Sequence, residues 1–188
     1  MNDIKRCEWT GNDEKMIQYH DAEWGVPVKD DQKLFEYFVL DAFQAGLSWK
    51  TILHKRENFR KAFDNFDPEK IALYNSNKVN TLLQDSGIIR NRLKIQATIH
   101  NARQYKEIQA KYESFSTYIW SFVQGEPIIN KWYSLQEVPA TSSISDKMSK
   151  DLKQKGFKFV GSTICYAFMQ AAGLVNDHTT GCFRYKQG

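Results

Sequence analysis

Apolar residues recur three and four positions apart along most of this chain, in runs separated by short polar breaks. Leu34, Phe35, Phe38 and Val39 keep that spacing behind Asp30 and Asp31, either of which can cap a helix. Gly46 interrupts the run. Ser48 can cap the next one, in which Trp49, Ile52, Leu53 and Arg56 fall at helical intervals. Asp67-Pro68 reads as an N-cap followed by proline at the first helical position. Further helices are predicted from Val79 to Gln84 with a stop near Gly87, from about Asn91 towards Tyr112, and from Phe115 to Val123 with a stop at Gly125 and Pro127. Residues Ile128 to Ser143 show no period and are predicted as loop. One helix is then expected from Ser145 to Gly156, and a last one from Ser162 to Ala172, stopped by Gly173. The β-branched residues are scattered, so strands are few or absent and the fold class is all-α.

Length changes this picture little: 188 residues with no repeat, low-complexity tract or linker predict one domain, 1–188. Aromatic residues at 14% can fill a core and also wall a pocket for a flat ring. A net charge of +4 permits a local nucleic-acid patch without requiring one. No apolar run has the length of a signal segment or a membrane span. Three cysteines, at positions 7, 165 and 182, do not make a disulfide framework, and a reducing cytoplasm is the expected compartment. Cys165 sits among apolar residues of a predicted helix and reads as a small core residue.

Three constellations carry chemistry. Cys7 and His20 stand near one end of the chain, His178 and Cys182 near the other. Two thiolates and two imidazoles make a closed zinc-type donor set, which would be structural. The spacing equally allows a buried Cys7 and a surface His178 with no metal. His54 and His100 lie among charged residues and read as solvated. Next, Gly156 to Gly161 links two predicted helices in a helix–hairpin–helix pattern. The amides of Gly161, Ser162 and Thr163 would open the second helix, with Lys155 and Lys158 beside them, and could hold a phosphate. A plain helical hairpin explains the same pattern. Finally, Asp41 shares a helix face with Leu34 and Phe38, where an acid is costly without a partner. A backbone amide near Gly46 could serve, or a ligand could. The following Gln44-Ala-Gly-Leu-Ser-Trp49 places Leu47 at a tight turn and a large ring at Trp49, with Trp9, Tyr19 and Trp24 near the amino-terminal donors.

Taken together these stretches resemble the 3-methyladenine DNA glycosylase I family. The likeness rests on Cys7-Glu-Trp9, Tyr19-His-Asp-Ala-Glu-Trp-Gly-Val-Pro27, Gln44-Ala-Gly-Leu-Ser-Trp49, Lys55-Arg-Glu-Asn58, Gly87-Ile-Ile-Arg90, Gly156-Phe-Lys-Phe-Val-Gly161 and Gly173-Leu-Val-Asn-Asp-His178 with Cys182, which run in order over nearly the whole chain. The resemblance implies a helix–hairpin–helix glycosylase fold whose end segments are joined by structural zinc on Cys7, His20, His178 and Cys182. It implies that Tyr19, Trp49 and Trp9 line a base pocket, that Leu47, with Gln44 and Gly46 beside it, enters the DNA, and that the hairpin at Lys158, Gly161, Ser162 and Thr163 grips the backbone.

The chain departs from the family at Asp41, where the family carries Glu. The carboxylate is one carbon–carbon bond shorter, about 1.5 Å. Altered lesion range, or a DNA-binding module that has lost excision, is therefore the alternative to an active enzyme. The expected activity is monofunctional hydrolysis of the N-glycosidic bond of 3-methyladenine in double-stranded alkylated DNA, releasing the free base. Asp41, ionised, and Tyr19 would act on the cationic base. No lysine is placed as a Schiff-base nucleophile. Asp177, beside His178, reads as a hydrogen-bond partner of the metal centre. A monomer with no membrane association is expected.

Overall fold

The computed structural model describes residues 4–185. Nine α-helices form its body among the described residues: α1 (Glu14–Ala22), α2 (Asp31–Gln44), α3 (Trp49–Ala62), α4 (Pro68–Ala72), α5 (Ser76–Gln84), α6 (Arg92–Tyr112), α7 (Phe115–Ser121), α8 (Ser143–Gln154) and α9 (Ser162–Ala171). The helix starts follow from side-chain chemistry. Asp13, Asp30, Ser48, Asp67, Asn75, Asn91, Ser114 and Ser142 each accept a backbone N–H from the first turn of α1 to α8. Only α9 opens on a glycine, Gly161, with no side-chain cap.

Helix α2 is the axis of the molecule. Every residue from Leu34 to Phe43 is buried, and the helix packs against α3, α6, α7 and α9. Asp30 caps it. Asp31 instead reaches across to accept the amides of Phe115 and Ser116 at 2.9 and 2.7 Å, and so starts α7 as well. Phe38 meets Phe115, Phe157 and Phe168 edge-on, which joins α2 to α7, the hairpin turn and α9.

Two expectations need correction. Helix α8 begins at Ser143, not Ser145. Ser145 is the third residue of a reciprocal capping box with Ser142, and its polar character had suggested a start. The stretch predicted as loop also contains strand β1 (Ile128–Ile129), which pairs in parallel with β2 (Val175–Asn176), Ile128 opposite Val175. A bridge from Trp132 to Thr179 continues the pairing. Two-residue strands leave no period-2 signal, and their partner lies far along the chain. Among the described residues no helix is long and apolar enough to cross a membrane.

Candidate active site

Two acids lie within the buried run of α2, and they differ in their partners. Glu36 Oε1 accepts Arg56 Nε at 2.5 Å and Arg60 NH2 at 2.7 Å, so its charge is met. Asp41 is 3% exposed, and its buried Oδ2 has no hydrogen-bond partner among the described residues. Burial pushes the Asp41 carboxyl well above the usual carboxylate range. Burial therefore disfavours the ionised acid expected from the sequence unless a cation lies beside it. The backbone amide near Gly46, the structural partner left open by the sequence, is not used.

Asp41 faces a cavity of about 350 Å³. Its aromatic wall comes from the amino-terminal segment and α3: Trp9, Tyr19 and Trp49 all border it, with Tyr19 and Trp49 ring centres 5.1 Å apart. Burial, reinforced by the nearby Asp41, holds the Tyr19 phenol in its protonated form. The indole nitrogens of Trp9 and Trp49, two residues that border the cavity, are also buried without partners among the described residues. Gln170 and Ala171 of α9 also line the cavity, as do Leu135 and Val138. Sequence reasoning missed these four. Leu135 and Val138 sit in the aperiodic stretch, and the two from α9 belong to a helix read only as part of the hairpin.

At the end of α2 the chain turns sharply: Gly46 has φ +78 and Leu47 N donates to Gln44 O at 2.6 Å. The turn leaves Leu47 41% exposed at the side of the cavity where Gln44 and Trp49 line it. Its apolar side chain is held in solvent by local backbone geometry.

The hairpin between α8 and α9 is fastened from behind. Asn101 donates to Lys158 O and accepts from Lys158 N, at 2.9 and 2.8 Å, and Ser149 donates to Val160 O at 2.6 Å. His100, expected to be solvated, holds Gly156 O at 2.8 Å; its ring is half-buried against the turn. His54 is exposed and pairs with Asp13. Lys155, expected beside a phosphate, is engaged by Asp151 at 2.7 Å instead, which leaves the exposed Lys158 as the basic side chain of the turn. The amides of Gly161, Ser162 and Thr163 meet no protein acceptor among the described residues. Gly161 has φ −61, and a Cβ there would meet nothing within 4 Å. The fold itself does not demand glycine at this position. Close approach by an outside molecule would.

Cys7, His20, His178 and Cys182 converge in the interior, with all four ligand atoms within 4.8 Å of one another. A surface His178 is excluded, since it is 1% exposed. The sulfur-to-nitrogen distances are 3.5 Å for Cys7–His178, 3.4 Å for Cys182–His20 and 3.6 Å for Cys182–His178. A tetrahedral ion bound by sulfur at ~2.3 Å and nitrogen at ~2.0 Å separates such atoms by about 3.5 Å. The remaining ring nitrogens are occupied, His20 Nδ1 by Asp21 Oδ1 at 2.8 Å and His178 Nε2 by Trp24 O at 3.1 Å. These contacts turn His20 Nε2 and His178 Nδ1 inward as lone-pair donors, so the group fits a metal ion. Asp177 does not support either histidine. Its carboxylate accepts Asn130, Trp132, Tyr166 and Gln170, and the metal-side carboxylate is Asp21, itself clasped by Arg6. Adjacency in sequence had suggested the wrong acid, because consecutive side chains point apart.

Known proteins resemble this chain over nearly its whole length. The methyladenine glycosylase family model matches residues 9–185. DNA-3-methyladenine glycosylase 1 of Escherichia coli (strain K12) is 53% identical over 182 residues, 97% of each chain. A crystal structure of a 3-methyladenine DNA glycosylase I superposes with a TM-score of 0.93 at 54% identity, covering 95% of this chain and 98% of that one. The Staphylococcus aureus enzyme, solved to explain 3-methyladenine recognition, gives 0.92 at 36% identity over 96% of each chain. The chain belongs to the 3-methyladenine DNA glycosylase I family.

Proposed function

We propose that this protein excises 3-methyladenine from alkylated double-stranded DNA by hydrolysing the N-glycosidic bond, leaving the sugar–phosphate backbone uncut. The observation that carries the reading is Asp41, an unpartnered buried acid facing an aromatic cavity. Such a site is incomplete until a flat cation enters it. Methylation at N3 gives the adenine ring a positive charge while it is joined to the sugar, and neutral adenine has none. The cation supplies the charge that lets Asp41 ionise and accept hydrogen bonds from the ring, so selectivity follows from electrostatics in a dry site. Trp49 and Tyr19 stack against the base, with Trp9 behind them.

The hairpin amides at Gly161, Ser162 and Thr163, with Lys158, take a backbone phosphate without reading sequence. Leu47, on the turn formed by Gln44 and Gly46, fills the gap left in the stack when the base swings out. Water then adds to the sugar carbon and gives up a proton. The base leaves with the electron pair of the broken bond, which neutralises its own charge. A leaving group of this kind needs little acid catalysis.

The four-residue donor group would hold zinc, whose contribution is a structural cross-link and no reaction step, since all four positions are filled by protein. The enzyme acts as a monomer.

The test is to incubate the protein with methylated duplex DNA and identify the free bases. Release of 3-methyladenine with little 7-methylguanine is the expected result. Tight binding of duplex with no base released would establish the alternative, a DNA-binding module whose shortened acid no longer supports excision, and Asp41→Glu would then be expected to restore release.

A further inference from the structure

Lys94 occupies a position that local physics disfavours. It lies in the first turn of α6, where the helix dipole repels a cation, and it is only 8% exposed. Burial lowers its ammonium below the usual lysine range, and no acidic side chain pairs with it among the described residues. Its partners are two backbone oxygens: Nζ donates to Phe43 O at 2.8 Å and to Ala45 O at 2.6 Å. Both carbonyls belong to the last turn and cap of α2, which a helix cannot satisfy internally. They flank Gln44 and stand immediately before Gly46 and the exposed Leu47. A single ammonium thus binds the helix that carries Asp41 to the base of the turn that presents Leu47.

We propose that Lys94 is a positioning residue for base extrusion: it fixes the 44–48 turn so that Leu47 stays in place while the duplex opens. The inference rests on the reading of Leu47 as the residue that enters the stack. A leucine on a loose turn would yield when the stack presses on it, whereas one on a clamped turn holds the base pair apart. Lys94 does not touch the base, so its loss is felt only where a paired lesion must be opened.

The experiment compares excision of 3-methyladenine from a fully paired duplex with excision from a single strand, for Lys94→Met, Leu47→Ala and the double variant. Lys94→Met is expected to slow the paired substrate on the order of tenfold, the scale of losing charged hydrogen bonds, and to change the single-stranded substrate by less than about twofold. On the Leu47→Ala background it should add little, because the two act as one unit. Lys94→Gln, which keeps a neutral donor, is read in parallel and should fall between wild type and Met. An equal loss on both substrates, tracking a fall in Tm, would overturn the inference in favour of plain stabilisation. So would full additivity with Leu47→Ala. If Leu47→Ala slows the paired substrate and Lys94→Met does not, the inference alone fails. If Leu47→Ala spares the paired substrate, the reading of Leu47 fails first.

Discussion

Glu36 and Asp41 lie five positions apart on one buried helix, and the difference between them is a pair of arginines. Folding moves Asp41 from a solvated chain, where it ionises near 3.8, to a site that keeps its proton to much higher pH. Its effect on stability therefore appears below the ordinary value and is lost as pH rises towards the raised one. Asp41→Asn removes that loss. The variant should melt above wild type at pH 7 and level with it near pH ~3, while excision at neutral pH falls about 10- to 100-fold with the loss of a charged acceptor. Thermal melts at two pH values and a base-release assay check both halves; a variant that melts no higher at pH 7 would mean that Asp41 has a partner after all. At this scale the sequence was a good guide to the acid, because an ionisable residue on an apolar face stands out. It was a poor guide to Lys94, whose carbonyl partners lie about fifty residues away and carry no side-chain signature, and to Asp177, whose position beside a metal-group histidine suggested a contact the backbone does not make.

Among the elements, most helices were legible from their apolar spacing, with Asp30, Ser48 and Asp67 marking starts, while the caps at Asp13, Asn75 and Ser142 were passed over because no long apolar run follows them directly. The β1–β2 pair was not, since each strand has two residues and is defined only by the other. Glycines separate fold from function at this level. Gly173 has φ +72, and a Cβ there would lie 2.4 Å from the Val26 carbonyl carbon, so the chain needs glycine where α9 gives way to β2. Gly161 has open space and an ordinary φ. Gly173→Ala should therefore cost stability, roughly 2 kcal/mol or more. Gly161→Ala meets no clash and should cost only the poorer N-cap, about 1 kcal/mol or a Tm drop of roughly 2–4 °C, yet weaken duplex binding several-fold. Melting curves and a duplex titration compare the two. A Gly161→Ala protein that binds duplex like wild type would remove the hairpin from the DNA-binding surface.

Over the whole molecule the dominant constraint is the meeting of the two chain ends. Scarce cysteines and histidines placed far apart hinted at it, and their spacing equally allowed no metal; the fold brings all four together in the interior. With zinc bound at about a thousand times its dissociation constant, the ion would add roughly 4 kcal/mol. Chelation should then lower Tm on the order of 10 °C for a chain of this size, and Cys182→Ser should reproduce that drop with no further response to chelator. Equal melting with and without chelator would mean the four residues need no ion. The convergence also orders events in time. Cys182 follows His20 by 162 residues, so at ~5–20 residues per second a ribosome delivers the second half of the cluster roughly ten to thirty seconds after the first. Trp9 and Tyr19, which border the cavity, are thus made well before the two donors of the tail. A chain that stops before His178 lacks two of the four donors, whatever the first twenty residues have built.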